Sequence, residues 1–327
     1  MAAGKGILVI SLDFELYWGI RDLYSKQDYV KRWGGEREWI PRILELFRQG
    51  GVHATWATVG LLFFKNKAEL LSGLPEVKPT YSDSSLSPYG DMEGSEVGEG
   101  EDDDPYHYAL SLIEQIRATE GQRIASHTFS HFYCLEKGQS KPQFYSDLKA
   151  AVSAAGRREI TLESLVLPRN QVCAEYLDGL APLGFRSYRG NPQHRLYRSG
   201  YSAGDSLLRR VLRLADSYVN LTGHHTYPIQ TVVPQEPVNL PASFFLRSAP
   251  QALRWLEGLR LKRILDGMTY AAKRGQVYHL WLHPYNAAGA ADFRTLERVV
   301  AHYIHLAERY EMTSMNMEEL SDLVLEA

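Results

Sequence analysis

Short apolar runs rich in β-branched and aromatic residues alternate along this chain with longer stretches whose apolar positions recur every three to four residues. Gly6–Leu12 predicts a strand. Trp39–Gln49 predicts a helix with Ile40, Ile43, Leu44 and Phe47 on one side, and His53–Val59 a second strand. Helices are predicted at Leu61–Leu71 and Tyr106–Ala118, followed by a short strand near Arg123–Ala125. Further strands are expected at Ser164–Leu167, Phe185–Tyr188, Ser217–Leu221 and Gln276–Leu282. Helices are expected at Val172–Leu183, Asp205–Leu214, Leu253–Lys273 and Phe293–Arg309. Strand–helix alternation implies parallel strands joined by crossover helices. No Pro/Gly/Ser-rich linker interrupts it and no internal repeat is present, so residues 1–327 read as a single α/β domain of barrel type.

Residues 76–105 break the alternation. They hold a Ser-rich stretch around Tyr81 and Tyr89 and then the run Glu99-Gly100-Glu101-Asp102-Asp103-Asp104. A loop of this length in a compact domain is a lid, a binding loop or an insertion. It is expected to cover the pocket, its tyrosines against a substrate and its acidic run in solvent or at the start of a helix.

Composition narrows the function. A net charge of −3 gives no basic face for nucleic acid, so none is expected as a partner. The two cysteines, Cys134 and Cys173, are too few for a disulfide framework. No run approaches the roughly 18 apolar residues of a membrane span. The first residues lead straight into an apolar run too short for a signal peptide, so a cytoplasmic location is expected.

Candidate chemistry collects at predicted strand ends. In an extended strand i and i+2 share a face, so Asp13 and Glu15 can both point into one pocket. His127 and His131, in Ser-His-Thr-Phe-Ser-His, are four apart. On a helical turn they would share one metal ion, which a carboxylate would complete as two nitrogens and one oxygen. Arg169 follows the apolar run Val166-Leu167-Pro168, where its charge could hold a carboxylate ionised. His283 ends Tyr278-His279-Leu280-Trp281-Leu282, with His279 and Trp281 on its face. Arg189 precedes another polar strand end, Gly190-Asn191-Pro192. His224 and His225 are adjacent and so diverge on a strand; they read as loop residues rather than a second metal site.

In this order, an N-terminal Asp, Ser-His-Thr-x-Ser-His, Pro-Arg after a strand and Leu-x-Leu-His near the end, the residues resemble the polysaccharide deacetylase (NodB-homology, carbohydrate esterase family 4) group over roughly residues 7–285. The resemblance implies a distorted (β/α)-barrel of about seven parallel strands, a divalent metal (most often Zn2+), and hydrolysis of an N-acetyl or O-acetyl group on a sugar. It assigns His127 and His131 to the metal, Asp13 as general base, His283 as general acid and Arg169 as the brace of the base. Where the family has adjacent aspartates this chain has Asp13-Phe14-Glu15, so the metal carboxylate is Glu15 or Asp13; the longer reach of Glu15 favours it. The family's aspartate that tunes the acid histidine has no clear match, Asp216 being the nearest candidate. Asn170, Arg189 and Tyr89 are the expected substrate contacts. An acetylated nucleotide- or lipid-linked sugar inside the cell is the expected substrate. The alternatives are a small linear or cyclic amide, and a glycan-binding domain without turnover.

Overall fold

The computed structural model describes residues 4–94, 96–197, 206–248 and 251–326. Its strands are β1 (Ile7–Phe14), β2 (Ala54–Thr58), β3 (Gln122–Ser126), β4 (Ser164–Leu165), β5 (Ser187–Gly190), β6 (Val238–Pro241), β7 (Phe244–Phe245), β8 (Val277–Leu282) and β9 (Thr313–Met315). They lie in the order β6-β5-β4-β3-β2-β1-β8-β7, with β9 also on β1, and every strand pairs in parallel. Only Ala242 and Ser243 separate β6 from β7. The Ala242 N–H donates to the Gly190 carbonyl at 2.8 Å and the Ser243 N–H to the His279 carbonyl at 2.7 Å. One run from Val238 to Phe245 thus lies along β5 with its first half and along β8 with its second. Counted as one stave, it closes a distorted barrel of seven among the described residues.

Burial follows the pleat. Leu8, Ile10, Leu12 and Phe14 of β1 face the outer helices, including Glu36–Gly50, Glu257–Arg274 and Ala290–Tyr310. Ile7 and Val9 face inward, where they meet Val238, Leu240 and Val277, and Met317, Leu320 and Val324 of the C-terminal helix Met317–Leu325. That helix plugs the floor with apolar side chains. Above the floor the interior turns polar, with Ser11 and Asp13 on the same face of β1.

Several predicted elements differ. Ser217–Leu221 is not a strand: Ser217 caps the helix Leu207–Asp216, and the Asp216 carboxylate accepts the Leu221 and Thr222 N–H groups at 2.8 and 2.9 Å, turning the chain. Of the predicted helix Asp205–Leu214, Asp205 lies outside the described residues. Leu61–Leu71 divides into a 3-10 turn, Gly60–Phe63, and a helix, Lys67–Ser72, whose Asn66 side chain caps Glu69 N–H at 2.8 Å. Val172–Leu183 is two 3-10 turns, with Pro182 opening the second. The unpredicted helix Lys141–Gly156 starts from a Ser140/Gln143 capping box. Its buried face relies on Ala150, Ala151, Ala154 and Ala155, which make a faint hydrophobic stripe.

Segment 76–105 is built into the body. Tyr81 and Tyr89 are buried rather than presented to a ligand. The acidic run is only partly solvated. Buried Asp104 pairs with Lys26 at 2.8 Å and His107 at 2.6 Å, Glu101 pairs with Arg37, and Glu99, Asp102 and Asp103 stand in solvent. Those partners give the run a structural task that charge pattern alone does not reveal.

Candidate metal centre

The histidine motif is not a helical turn. β3 ends at Ser126, and the His127 N–H still donates to the Thr58 carbonyl at 2.9 Å, one residue beyond the strand. The chain then loops, with Thr128 and His131 in the left-handed region at φ 62° and 58°. Such a conformation disfavours L-residues, and the surroundings enforce it. Buried Asp147 accepts the Phe129 N–H at 2.6 Å, the Ser130 N–H at 3.2 Å and the Ser130 hydroxyl. The Thr128 hydroxyl accepts the Phe132 N–H at 2.7 Å. Burial pushes the Asp147 carboxyl up to about 7, against the lowering effect of these donors. A folded loop, rather than helical periodicity, brings the two rings together, their centroids 5.1 Å apart.

Both rings turn Nε2 towards Glu15. Glu15 Oε2 lies 3.4 Å from His127 Nε2 and 3.1 Å from His131 Nε2, all three side chains being buried. One ligand atom from each lies within 4.8 Å of the others. The other ring nitrogens are engaged: His127 Nδ1 with the Val166 carbonyl at 2.9 Å, His131 Nδ1 with the Tyr133 hydroxyl at 3.0 Å. A carbonyl can only accept, so His127 carries its proton on Nδ1, and a neutral His127 turns an Nε2 lone pair towards a carboxylate oxygen. Burial lowers the His131 pKa and so favours its neutral form, despite the opposing charge of Glu15. Lone pairs converging on a carboxylate are what a shared cation satisfies, and the residues fit a divalent ion.

Asp13 stands beside this set, in another's grip. Arg189 of β5 holds it bidentately, Nη1 to Oδ1 at 2.6 Å and Nη2 to Oδ2 at 2.8 Å, both side chains being buried. Asn170 Oδ1 accepts from Arg189 Nη2 at 2.9 Å, Ser11 Oγ from its Nη1 at 3.0 Å, and the guanidinium lies 4.4 Å from the Trp281 ring centre. Burial alone would raise the Asp13 pKa; the charge of Arg189, with His127 and His283, outweighs it and holds the carboxyl below its ordinary value. Glu15, likewise raised by burial, is brought well below its ordinary value by His283, His127 and His131.

His283 closes the other side. Its Nε2 is 3.4 Å from Glu15 Oε1 and 4.0 Å from Asp13 Oδ2. Its Nδ1 lies 3.2 Å from Asn286 Oδ1, and the Tyr285 ring stacks on it with centroids 4.6 Å apart. Phe245 and Trp281, stacked at 3.9 Å, complete an aromatic wall beside it.

The structure therefore brings together Asp13, Glu15, His127, His131 and His283, and redistributes the rest. Arg169 does not brace Asp13; it pairs with Asp22 and lies over the Tyr133 ring at 4.2 Å, the same Asp22 accepting the Tyr133 hydroxyl that engages His131. Arg189 and Asn170, expected to touch substrate, are the brace and its support. Tyr89 lies in the core, because segment 76–105 packs inward. Asp216 does not tune His283; it accepts from the Tyr197 hydroxyl at 2.5 Å and from Thr222. His224 and His225 lie outside any strand, as expected. Sequence reasoning missed Asn286 and Asp22; Asn286, three residues after His283 across a proline, had a turn signature that could have marked it.

The fold and the five converging side chains define a parallel (β/α)-barrel with a candidate metal centre at the carboxyl ends of its strands. No protein-family model matches the sequence, and no curated protein matches it. Among solved structures it is similar to a chain from Mycobacterium smegmatis designated a polysaccharide deacetylase, at a TM-score of 0.60 and 13% identity over 99% of this chain and 92% of that one. It is similar to another so designated from Pseudomonas aeruginosa PAO1, at 0.50 and 10% over 97% and 89%, and to Puue allantoinase, at 0.50 and 10% over 97% and 88%. The chain has the NodB-homology fold of the polysaccharide deacetylases.

Proposed function

We propose that this protein is a metal-dependent hydrolase that removes an N-acetyl group from a sugar. The observation that carries the reading is the convergence of Glu15 Oε2 with two histidine Nε2 atoms, next to a separate carboxylate, Asp13, held ionised by Arg189. Glu15, His127 and His131 would hold the ion, and two imidazoles with one carboxylate suit zinc. When bound, the ion polarises the acyl oxygen and acidifies a water. Asp13 accepts that water's proton. The bracing lowers its basicity but keeps it deprotonated at neutral pH, the form in which it can act. His283 presents Nε2 to the same space, with Asn286 and Tyr285 fixing its ring, and delivers a proton to the departing amine. Phe245 and Tyr285 offer apolar ring faces on which a pyranose can stack. The substrate class that fits is an acetylated nucleotide- or lipid-linked sugar. Acetate release from such sugars, lost with chelator and restored by zinc, is the test. Ring opening of a cyclic amide without any acetate release would transfer the assignment to amide hydrolysis.

A further inference from the structure

The helix Leu207–Asp216 is turned inside out. At 3.6 residues per turn Leu207, Leu208, Val211, Leu212 and Leu214 fall within an arc of roughly 160°, with Arg209, Arg210, Arg213 and Asp216 opposite. In a helix docked on a core the apolar arc faces inward. Here the polar side is the docked one. Arg209 Nε donates to the Leu196 carbonyl at 2.8 Å, and Asp216 is fully buried among Tyr197, Thr222 and Arg263. Leu207 and Leu208 are 75% and 69% exposed, with Val211 and Leu212 also in solvent.

The apolar surface continues beyond the helix. Val219 and Leu221 are exposed just after it. Trp255, 80% exposed, and Leu259 stand on the neighbouring segment. Leu259 lies one turn before Arg263, which donates to the Gly223 carbonyl and lies 3.0 Å from His224 Nδ1, so the two segments adjoin. Both follow the carboxyl ends of barrel strands, β5 and β7. Ser248, between β7 and Trp255, accepts from Asn286 at 3.3 Å, and Asn286 holds His283. The patch therefore flanks the mouth of the candidate centre.

Its surface charge selects the partner. Of the cations in residues 207–221 and 254–263, Arg210, Arg254 and Lys262 reach solvent, Lys262 beside Asp266, while Arg260 and Arg263 are buried and Asp216 is buried with them, in a chain whose net charge is −3. Arg210 and Arg254 stand exposed at its edge. Protruding leucines, an exposed tryptophan and surrounding cations are the chemistry of a segment lying in a lipid headgroup layer. No helix among the described residues is long and apolar enough to cross a membrane, so attachment would be peripheral. We propose that residues 207–221 together with Trp255 and Leu259 dock on an anionic lipid bilayer, bringing the barrel mouth to a lipid-linked sugar. The choice of that substrate rests on the deacetylase reading; the docking surface does not.

The test is co-sedimentation of the full chain with vesicles of phosphatidylglycerol and phosphatidylcholine, against phosphatidylcholine alone. The wild type should pellet with the anionic vesicles. Leu208→Glu with Leu212→Glu should lower the partition at least tenfold, and Trp255→Ala several-fold, with unfolding midpoints unchanged. Wild-type protein left in the supernatant, or variants that pellet equally, would overturn the proposal. So would a wild-type dimer that these substitutions make monomeric, which would give the surface to a second copy of the chain. Vesicle binding without acetate release from any soluble or vesicle-borne acetylated sugar would remove the deacetylase and leave the docking surface standing.

Discussion

Replacing Arg189 by Met leaves Asp13 buried with no bidentate partner. Breaking a fully buried ion pair by deleting one member costs about 3–5 kcal/mol, because the other charge stays desolvated. Here the orphan is a carboxylate whose burial already pushes its pKa up and which Arg189 does most to pull down. In the wild type the folded pKa is below the unfolded one, so the stability Asp13 contributes is present above its unfolded pKa and is lost as pH falls through the folded value. In Arg189→Met the order reverses: the folded pKa exceeds the unfolded one, and stability is lost as pH rises. Urea unfolding at pH 5 and pH 8 should show that inversion, and Asp13→Asn should recover much of the loss in the double variant. The acid limb of kcat/KM should move to higher pH, and turnover at pH 7 should fall on the order of 10²-fold. Arg169→Met removes a pair whose guanidinium side is 23% exposed and should cost about 2 kcal/mol, with no movement of the acid limb. A shifted limb in the Arg169 variant and an unshifted one in the Arg189 variant would refute the bracing role.

Four further outcomes are expected. Dialysed His131→Ala and Glu15→Gln should lose stoichiometric metal by elemental analysis. Asp13→Asn should retain it while turnover drops roughly 10²–10⁴-fold, and the reverse metal pattern would make Asp13 the ligand. Asp147→Asn should weaken zinc affinity about 10–100-fold in a competition titration by loosening the histidine loop, and unchanged affinity would show that the loop holds itself. Burial raises Glu36 from 4.5 to about 8 against its bond from Tyr29, so its protonated form stabilises the fold at low pH and that stability is lost as pH rises through about 8. Glu36→Gln should therefore be more stable than wild type at pH 9, on the order of a few kcal/mol, and close to it at pH 4; parallel pH curves would contradict this.

The residues that sit on strand ends in β1 and β8 were readable because strand alternation fixes their faces locally. Asp13, Glu15 and His283 needed only the two-residue period. The brace was not readable, because Arg169 and Arg189 both follow apolar runs. Which one reaches Asp13 depends on the left-handed backbone at Arg169 (φ 53°) and on β5 pointing Arg189 inward. The spacing of His127 and His131 suggested a shared ion for the wrong geometric reason: an i, i+4 pair meets on a helix, whereas here a loop tied to Asp147 makes the meeting. Strands β6, β7 and β9, two to four residues long, escaped detection, whereas the equally short β4 and β5 adjoin apolar residues, Val166-Leu167 and Phe185, that lengthened the signal. The surface helix was predicted, but periodicity alone does not say which of its faces meets the protein.

The plugged floor turns the barrel into a cup. Met317, Leu320 and Val324 seal the end beneath Ile7, Val9 and Val277, so among the described residues the candidate centre is approached from the opposite end, where the strands finish. If the proposed deacetylation holds, sugar, attacking water and both products pass that end, and an amine product still stacked on Tyr285 would stand in the way of acetate behind it. On that reading traffic through the cup would be sequential: the larger product leaves first, the acid follows, and added acetate should compete with the incoming acyl group for the same deep seat.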